Sequence, residues 1–271
     1  MRLESYLLTE GRSKKIELDE AYDIIKNKCM KAAKAYHKDT ARIYRGINNN
    51  KEALLVDPKS GSPRESANTS NHYTLLMDNL PSWKKFPKRG RSLICTTFQG
   101  RTSGHGIGYA VFPYDGSKIA VASKEDIWFS FKEIGSLRVF NKNFDYVLAD
   151  VLDKHDDSPD SIGIDKDWKT LKIAMKKFDE YVEKRGNIDR VTEDYMTSTV
   201  KWLKNYDGNT VSTLNKDFDP NKNGIKLVTA GKPLPRDERE VWTDGKSVMV
   251  KIENTYSTDE LMNNLEGMVK G

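Results

Sequence analysis

The sequence predicts an α+β fold, and three observations carry that reading. Apolar residues recur at helical spacing near the N-terminus, from Leu18 to Tyr36. Short β-type runs bounded by Gly, Pro, Asn and Asp then fill much of the chain. Between Asp153 and Asn223 the pattern turns helical again before β-type runs resume. At 271 residues, with 12 Tyr, 9 Phe and 5 Trp to bury, the chain is long enough for one or two domains with a real core.

Composition narrows the function classes. Charged residues make up 31% and apolar residues 37%, so the chain is strongly solvated yet too rich in aromatics to read as disordered. No apolar run approaches the length of about 18 residues that a spanning helix needs. A formal charge of +5 permits an anionic partner without requiring one. Cys29 and Cys95 stand in apolar surroundings and read as small buried hydrophobes of a reducing compartment. His37, His72, His105 and His155 are scattered and match no metal-ligand spacing, so no metal chemistry is expected.

Taken in order, Glu17–His37 reads as one amphipathic helix whose stripe is Leu18, Tyr22, Ile25, Cys29, Ala32 and Tyr36. Ala41–Gly46 is a short strand closed by glycine. Its Arg45 needs an anion if it lies in a core strand, either a structural carboxylate or a bound phosphate. Residues 48–71 are turn-rich and read as a long loop, and Tyr73–Leu80 as a helix stopped by Pro81. The basic run Lys84, Lys85, Lys88, Arg89 and Arg91 is either a solvated face or a contact for phosphate or an acidic partner.

Ser92–Phe98 is a strand that ends in the paired hydroxyls of Thr96 and Thr97. The glycines that follow, from Gly100 to Gly108, fit neither a dinucleotide fingerprint nor a P-loop. Tyr109–Pro113, an Asp115-Gly116 turn and Lys118–Ala122 read as a hairpin. Ile127–Phe131 and Tyr146–Leu152 read as further strands. Two helices are expected in the 153–223 insertion, one through Trp168, Leu171, Met175, Phe178 and Val182. The other runs through Tyr195, Thr199, Trp202 and Tyr206, with Thr192 as its cap. Ile225–Ala230 and Lys246–Ile252 return to strand, and Ser257 with Glu260 forms a capping box for a last helix.

Between those last strands lies Glu238-Arg239-Glu240-Val241-Trp242. In a strand, positions i and i+2 share a face, so the two glutamates are expected side by side. Carboxylates that close repel unless a cation or a hydroxyl compensates; on an exposed face they are simply solvated.

An arginine ending one strand, hydroxyls ending a second and Glu-x-Glu entering a third occur in that order. In this the chain resembles the mono-ADP-ribosyltransferases of the Arg–Ser–Glu class. Ile43-Tyr44-Arg45-Gly46 resembles the family's aromatic-Arg-Gly motif, Thr96-Thr97 stands at its Ser-Thr-Ser, and Glu238-x-Glu240 at its Glu-x-Glu. Thr96 keeps the hydroxyl and adds a methyl, and Phe98 replaces the third motif residue. The resemblance implies two small, mostly antiparallel sheets forming a split core around an NAD cleft. It divides the chain into 13–152 and 224–271, which form that core, with 153–223 inserted between them.

It also implies roles. NAD is the co-substrate, and cleavage of its nicotinamide–ribose bond develops positive charge on the ribose, which Glu240 stabilises. Arg45 and Gly46 hold the nucleotide, with Thr96, Thr97 and Phe98 beside it. Thr96 fixes Glu240 through its hydroxyl, Phe98 stacks on nicotinamide, and Glu238 aligns and deprotonates an acceptor arginine. The partner implied is a protein with an exposed arginine; the basic run keeps a nucleic acid base open as acceptor. A non-catalytic head protein retaining such a core is the remaining alternative. Leu8-Thr9-Glu10 before Gly11 resembles the Leu/Ile-x-Glu site trimmed by prohead proteases of large tailed phages. It marks 1–12 as a possible cleaved leader and implies a virion or host-cytoplasm location.

Overall fold

The computed structural model describes residues 13–64, 70–153, 164–186, 204–252 and 255–270. They form two compact units. The first holds the described residues of Met1–Arg64, Phe86–Asp126 and Lys226–Gly271; the second holds those of Glu65–Lys85 and Ile127–Ile225.

The first unit is built on an open antiparallel sheet. Its strands are β1 (Ser13–Ile16), β2 (Tyr44–Ile47), β3 (Ala53–Val56), β4 (Leu93–Thr96), β5 (Ile107–Pro113), β6 (Lys118–Val121), β7 (Lys226–Thr229), β8 (Glu240–Thr243) and β9 (Ser247–Lys251). They lie in the order β1-β3-β9-β5-β2-β4-β8-β6-β7. The N-terminal stripe forms two helices, α1 (Leu18–Lys28) and α2 (Met30–His37), because the chain leaves helical geometry at Cys29 (φ −126°, ψ 20°). Ala21, Ile25, Cys29, Ala33 and Tyr36 pack with Ala53, Ala110, Phe112, Val248 and Val250, and with Leu261 and Leu265 of the C-terminal helix Thr255–Lys270. Tyr36 meets Tyr44 edge-on, ring centroids 6.0 Å apart, and so ties α2 to the start of β2. A second cluster includes Ile43, Ile47, Leu93, Cys95, Tyr109, Val111 and Val241.

Two separate sheets were expected; the strand order is instead continuous. The joint between β2 and β4 is nevertheless a single register pair, Tyr44 with Thr96, whereas β5 and β9 share five pairs. Five strands lie on one side of this joint and four on the other.

The expected hairpin over 109–122 does not form. Both strands exist, but β5 lies between β2 and β9, and β6 lies between β8 and β7. The Asp115-Gly116 turn is instead docked on the α1–α2 break: Asp115 N–H donates to Lys28 O at 2.7 Å, and Lys31 N–H donates to Asp115 Oδ1 at 2.9 Å. Gly116 supplies the left-handed φ of 85° that this turn requires. Strand β3 lies inside the segment 48–71 read as loop, where Ala53-Leu54-Leu55-Val56 pairs with both β1 and β9.

The second unit is helical: α3 (His72–Asn79), α4 (Leu137–Asp153), α5 (Trp168–Arg185) and α6 (Thr210–Asp217). Asp167 caps α5 by accepting Thr170 N–H at 2.9 Å, and Gly186 ends it with φ 74°. Tyr146–Leu152 is part of α4 rather than a strand, because Phe140, Phe144, Val147, Leu148 and Val151 are buried at helical spacing. Ile127–Phe129 is a 3-10 turn rather than a strand. The helical unit therefore reaches beyond 153–223 to take in 127–152 and 65–85. Its aromatic centre is Phe131, Phe140, Phe144 and Phe218, with Phe131 and Phe218 4.8 Å apart. The expected helix through Tyr195, Thr199 and Trp202, and the Leu8–Gly11 site, lie outside the described residues. Ser257 falls inside the C-terminal helix, which begins at Thr255, rather than ahead of it.

Candidate functional site

Three motif-bearing strands are neighbours. Thr96 is paired with Tyr44 on one side and Glu240 on the other, so Tyr44, Thr96 and Glu240 form one row across β2, β4 and β8. Arg45 follows Tyr44 at the point where β2 and β4 part. Its Nη1 donates to Ile94 O at 2.8 Å, so a side chain satisfies a β4 carbonyl beyond the last pair of the β2–β4 ladder. Gly46 is required by close approach: a Cβ there would lie 2.3 Å from Thr102 O and 2.9 Å from His105 Cβ. The 3-10 loop Gln99–His105 is thereby seated directly on β2.

Glu240 is held by an arginine that the motif reading did not single out. Arg89 Nη1 forms an ion pair with Glu240 Oε1; the side chains are 4% and 13% exposed. The Arg89 guanidinium also lies 5.3 Å from the centre of the Trp242 ring. Arg89 therefore turns inward and is not part of an outward basic face, whereas Lys84, Lys85, Lys88 and Arg91 are exposed. The expected hydroxyl bond from Thr96 to Glu240 is replaced by another: Thr96 Oγ1 accepts Phe98 N–H at 3.1 Å. Cys95, between the two faces of this row, has its thiol pushed up to about 12 by burial, opposed by the Arg45 charge and reinforced by Glu240.

Glu238 does not stand beside Glu240 on a strand, because β8 begins only at Glu240. It lies in the approach to the strand, which Thr97 fixes. Thr97 Oγ1 donates to Asp237 O at 2.8 Å and accepts Arg239 N–H at 2.9 Å, bracketing Glu238, and Thr97 N–H donates to Arg239 O at 3.0 Å. The middle residue of the hydroxyl motif thus positions the first glutamate. Arg101, from the loop on β2, places Nε 2.8 Å from Glu238 Oε1, with side chains 50% and 28% exposed. His105 on the same loop has its pKa lowered by burial and then by the charges of Arg45 and Arg101. Phe98 is 51% exposed, an uncommon position for a large aromatic, and its ring lies against Gly100.

The fold thus gathers Arg45, Gly46, Thr96, Thr97, Glu238 and Glu240 around one sheet joint, with Phe98 next to it in sequence. It gives each glutamate its own arginine. Arg89 was read from sequence only as part of the basic run, and Arg101 was not assigned. The pattern Arg89-Gly90-Arg91 offered no sign of which arginine is buried, and Arg101 sits among glycines with no periodicity. Among the described residues, no group of three or more His, Cys, Asp or Glu could hold a metal ion, and no helix is long and apolar enough to cross a membrane. Comparisons with family models, curated proteins and solved structures found no match.

Proposed function

We propose that this chain is an NAD-dependent mono-ADP-ribosyltransferase that modifies arginine side chains of host proteins. The observation that carries the reading is the Tyr44–Thr96–Glu240 row, with Arg45 at the point where the strands part. Three residue types implied by the family resemblance come together there from segments up to about two hundred positions apart in the chain. The residue types suit the anionic groups of a nucleotide: Arg45, half-buried, and Gly46 lie at the joint, and the half-exposed Phe98 follows it in sequence.

NAD supplies a nicotinamide–ribose bond whose cleavage develops positive charge. Glu240, oriented by Arg89, stabilises that charge as it forms, which lowers the barrier rather than merely tightening binding. Arg45 grips the nucleotide's phosphate or ribose. Glu238, bracketed by Thr97, aligns the acceptor guanidinium and takes the proton that it loses on bonding to ribose. A carboxylate is needed there because arginine stays protonated to a pH above about 12.

The test is incorporation of labelled NAD into a bacterial lysate, with wild-type protein beside Glu240→Gln. Hydroxylamine-labile label on protein, lost in the variant, is the expected result. Full activity in Glu240→Gln would remove Glu240 from the mechanism, and protease-resistant label on nucleic acid would move the acceptor to a base. The Arg89–Glu240 pair also suits a second reading, a non-catalytic phage head protein that uses these charges to hold the sheet. Neither label nor NAD cleavage from wild-type protein is the outcome that supports it.

A further inference from the structure

Arg101 stands in relation to Glu238 as an acceptor arginine would. We infer that Arg101 is a built-in occupant of a guanidinium-binding site at Glu238, and that an incoming arginine side chain must displace it. The acceptor-competition part of this inference rests on the transferase reading; the binding site itself rests on geometry.

Two features of the Arg101–Glu238 contact carry it. Arg101 Nε lies 2.8 Å from Glu238 Oε1, the range of a strong charge-assisted contact. Yet Oε1, shielded from solvent, receives no hydrogen bond, so the approach is off the N–H direction. The pair is ionic without the directional bond that a guanidinium and a carboxylate can make when both are free to align. A shielded carboxylate oxygen lacking a donor is poorly satisfied, and a better-aligned guanidinium gains what Arg101 does not supply.

The surroundings separate a fixed half of the site from a replaceable one. Glu238 is fixed, since the Thr97 hydroxyl and amide bind the backbone on both sides of it. Arg101 is half exposed and reaches in from a surface loop. The loop backbone is itself seated on Gly46 through Thr102, and Thr102 Oγ1 donates to Gln99 O at 2.8 Å, so Arg101 can swing out as a side chain while the loop stays in place. The Arg45 and Arg101 charges both bear on His105.

Agmatine, a guanidinium without a carboxylate, is the probe, titrated without NAD into wild type, Arg101→Ala and Arg101→Ala/Glu238→Gln. Binding is followed by NMR through the backbone amides of Asp237, Glu238 and Arg239. An exposed ion pair contributes up to about 1 kcal/mol, so Arg101→Ala is expected to bind agmatine about fivefold more tightly than wild type. The double variant is expected to lose that binding. Equal affinity in wild type and Arg101→Ala, binding that survives Glu238→Gln, or no binding to any of the three proteins would each overturn the inference. With no NAD in the sample, this result is separate from the labelling experiment: a chain that never cleaves NAD can still bind agmatine at Glu238. If transfer does occur, Arg101→Ala lowers KM for agmatine about fivefold and leaves KM for NAD unchanged.

Discussion

At the scale of single residues, the Arg89–Glu240 pair has an energetic signature that its neighbours lack. Both charges are largely removed from water, so deleting one leaves the other uncompensated. Arg89→Met is expected to destabilise the protein by about 3 kcal/mol, read as a fall in the urea midpoint. Combining it with Glu240→Gln should restore part of that loss, since the stranded carboxylate is gone. Thr97→Val tests a different role. It removes a hydroxyl that both donates and accepts, so about 1–2 kcal/mol of stability is expected to go with it. Agmatine binding should fall several-fold in the same variant, because Thr97 brackets Glu238. Thr96 and Glu240 were legible in the sequence as strand ends; Arg45, expected to end its strand, lies inside the strand Tyr44–Ile47, which runs on past Gly46. Arg89 was not legible, because a run of like charges does not record which member turns inward.

At the scale of elements, periodicity was easier to read than pairing. The burial pattern of α5 could be read from Trp168 to Val182, and β4, β7 and β9 from their apolar runs. Which strand lies beside which was less visible: the Asp115-Gly116 turn closes as expected, with Ser117 N–H donating to Tyr114 O at 3.0 Å, but its strands pair elsewhere and Asp115 bonds to Lys28 and Lys31. Strand β3 was hidden in a turn-rich segment because a four-residue strand carries too little alternation to stand out. The contact of loop Gln99–His105 with β2 depends on a missing side chain. Gly46→Ala drives a methyl into Thr102 O, and a loss of about 1–3 kcal/mol is expected, seen as a lower Tm with amide shifts in both β2 and the loop. A substitution that left the loop signals in place would show that the seat is not there.

At the scale of the whole molecule, the two units are expected to answer pH differently. In the helical unit the Asp217 carboxyl is raised to about 6, first by burial and then by Glu133, against the Asn205 hydrogen bond and the charges of Lys222 and Lys216. Between about pH 4 and pH 6 the folded unit keeps a proton that the unfolded chain has lost. Its stability is therefore full at the acid end of this window, falls as pH rises through it and is level above. The expected loss is on the order of 2 kcal/mol. Asp217→Asn should flatten the profile and make the helical unit more stable than wild type at neutral pH, while matching it at the acid end. Melts followed through amide signals of α4, α5 and α6 across this range would show it, and an unchanged slope would exclude Asp217 as its source.

The joint between β2 and β4 brings temperature into the behaviour of the site. Besides one register pair, the Arg45 bond to Ile94, the Leu234 N–H bond to Thr40 O at 3.0 Å and the Arg101–Glu238 pair, the two sides of the sheet share an apolar cluster that holds Ile43, Ile47, Leu93 and Cys95. Apolar contact weakens on cooling, whereas hydrogen-bonded ladders do not depend on it in the same way. A seam with so short a ladder leans on that packing more than its neighbours do, and is expected to soften in the cold before the strands on either side of it. Cys95 lies along that seam and reports its opening. Near about 4 °C a small maleimide should label Cys95 faster relative to Cys29 than it does near about 25 °C, once intrinsic thiol rates are divided out. The β2–β4 seam would then be the part of this sheet that chilling unfastens first.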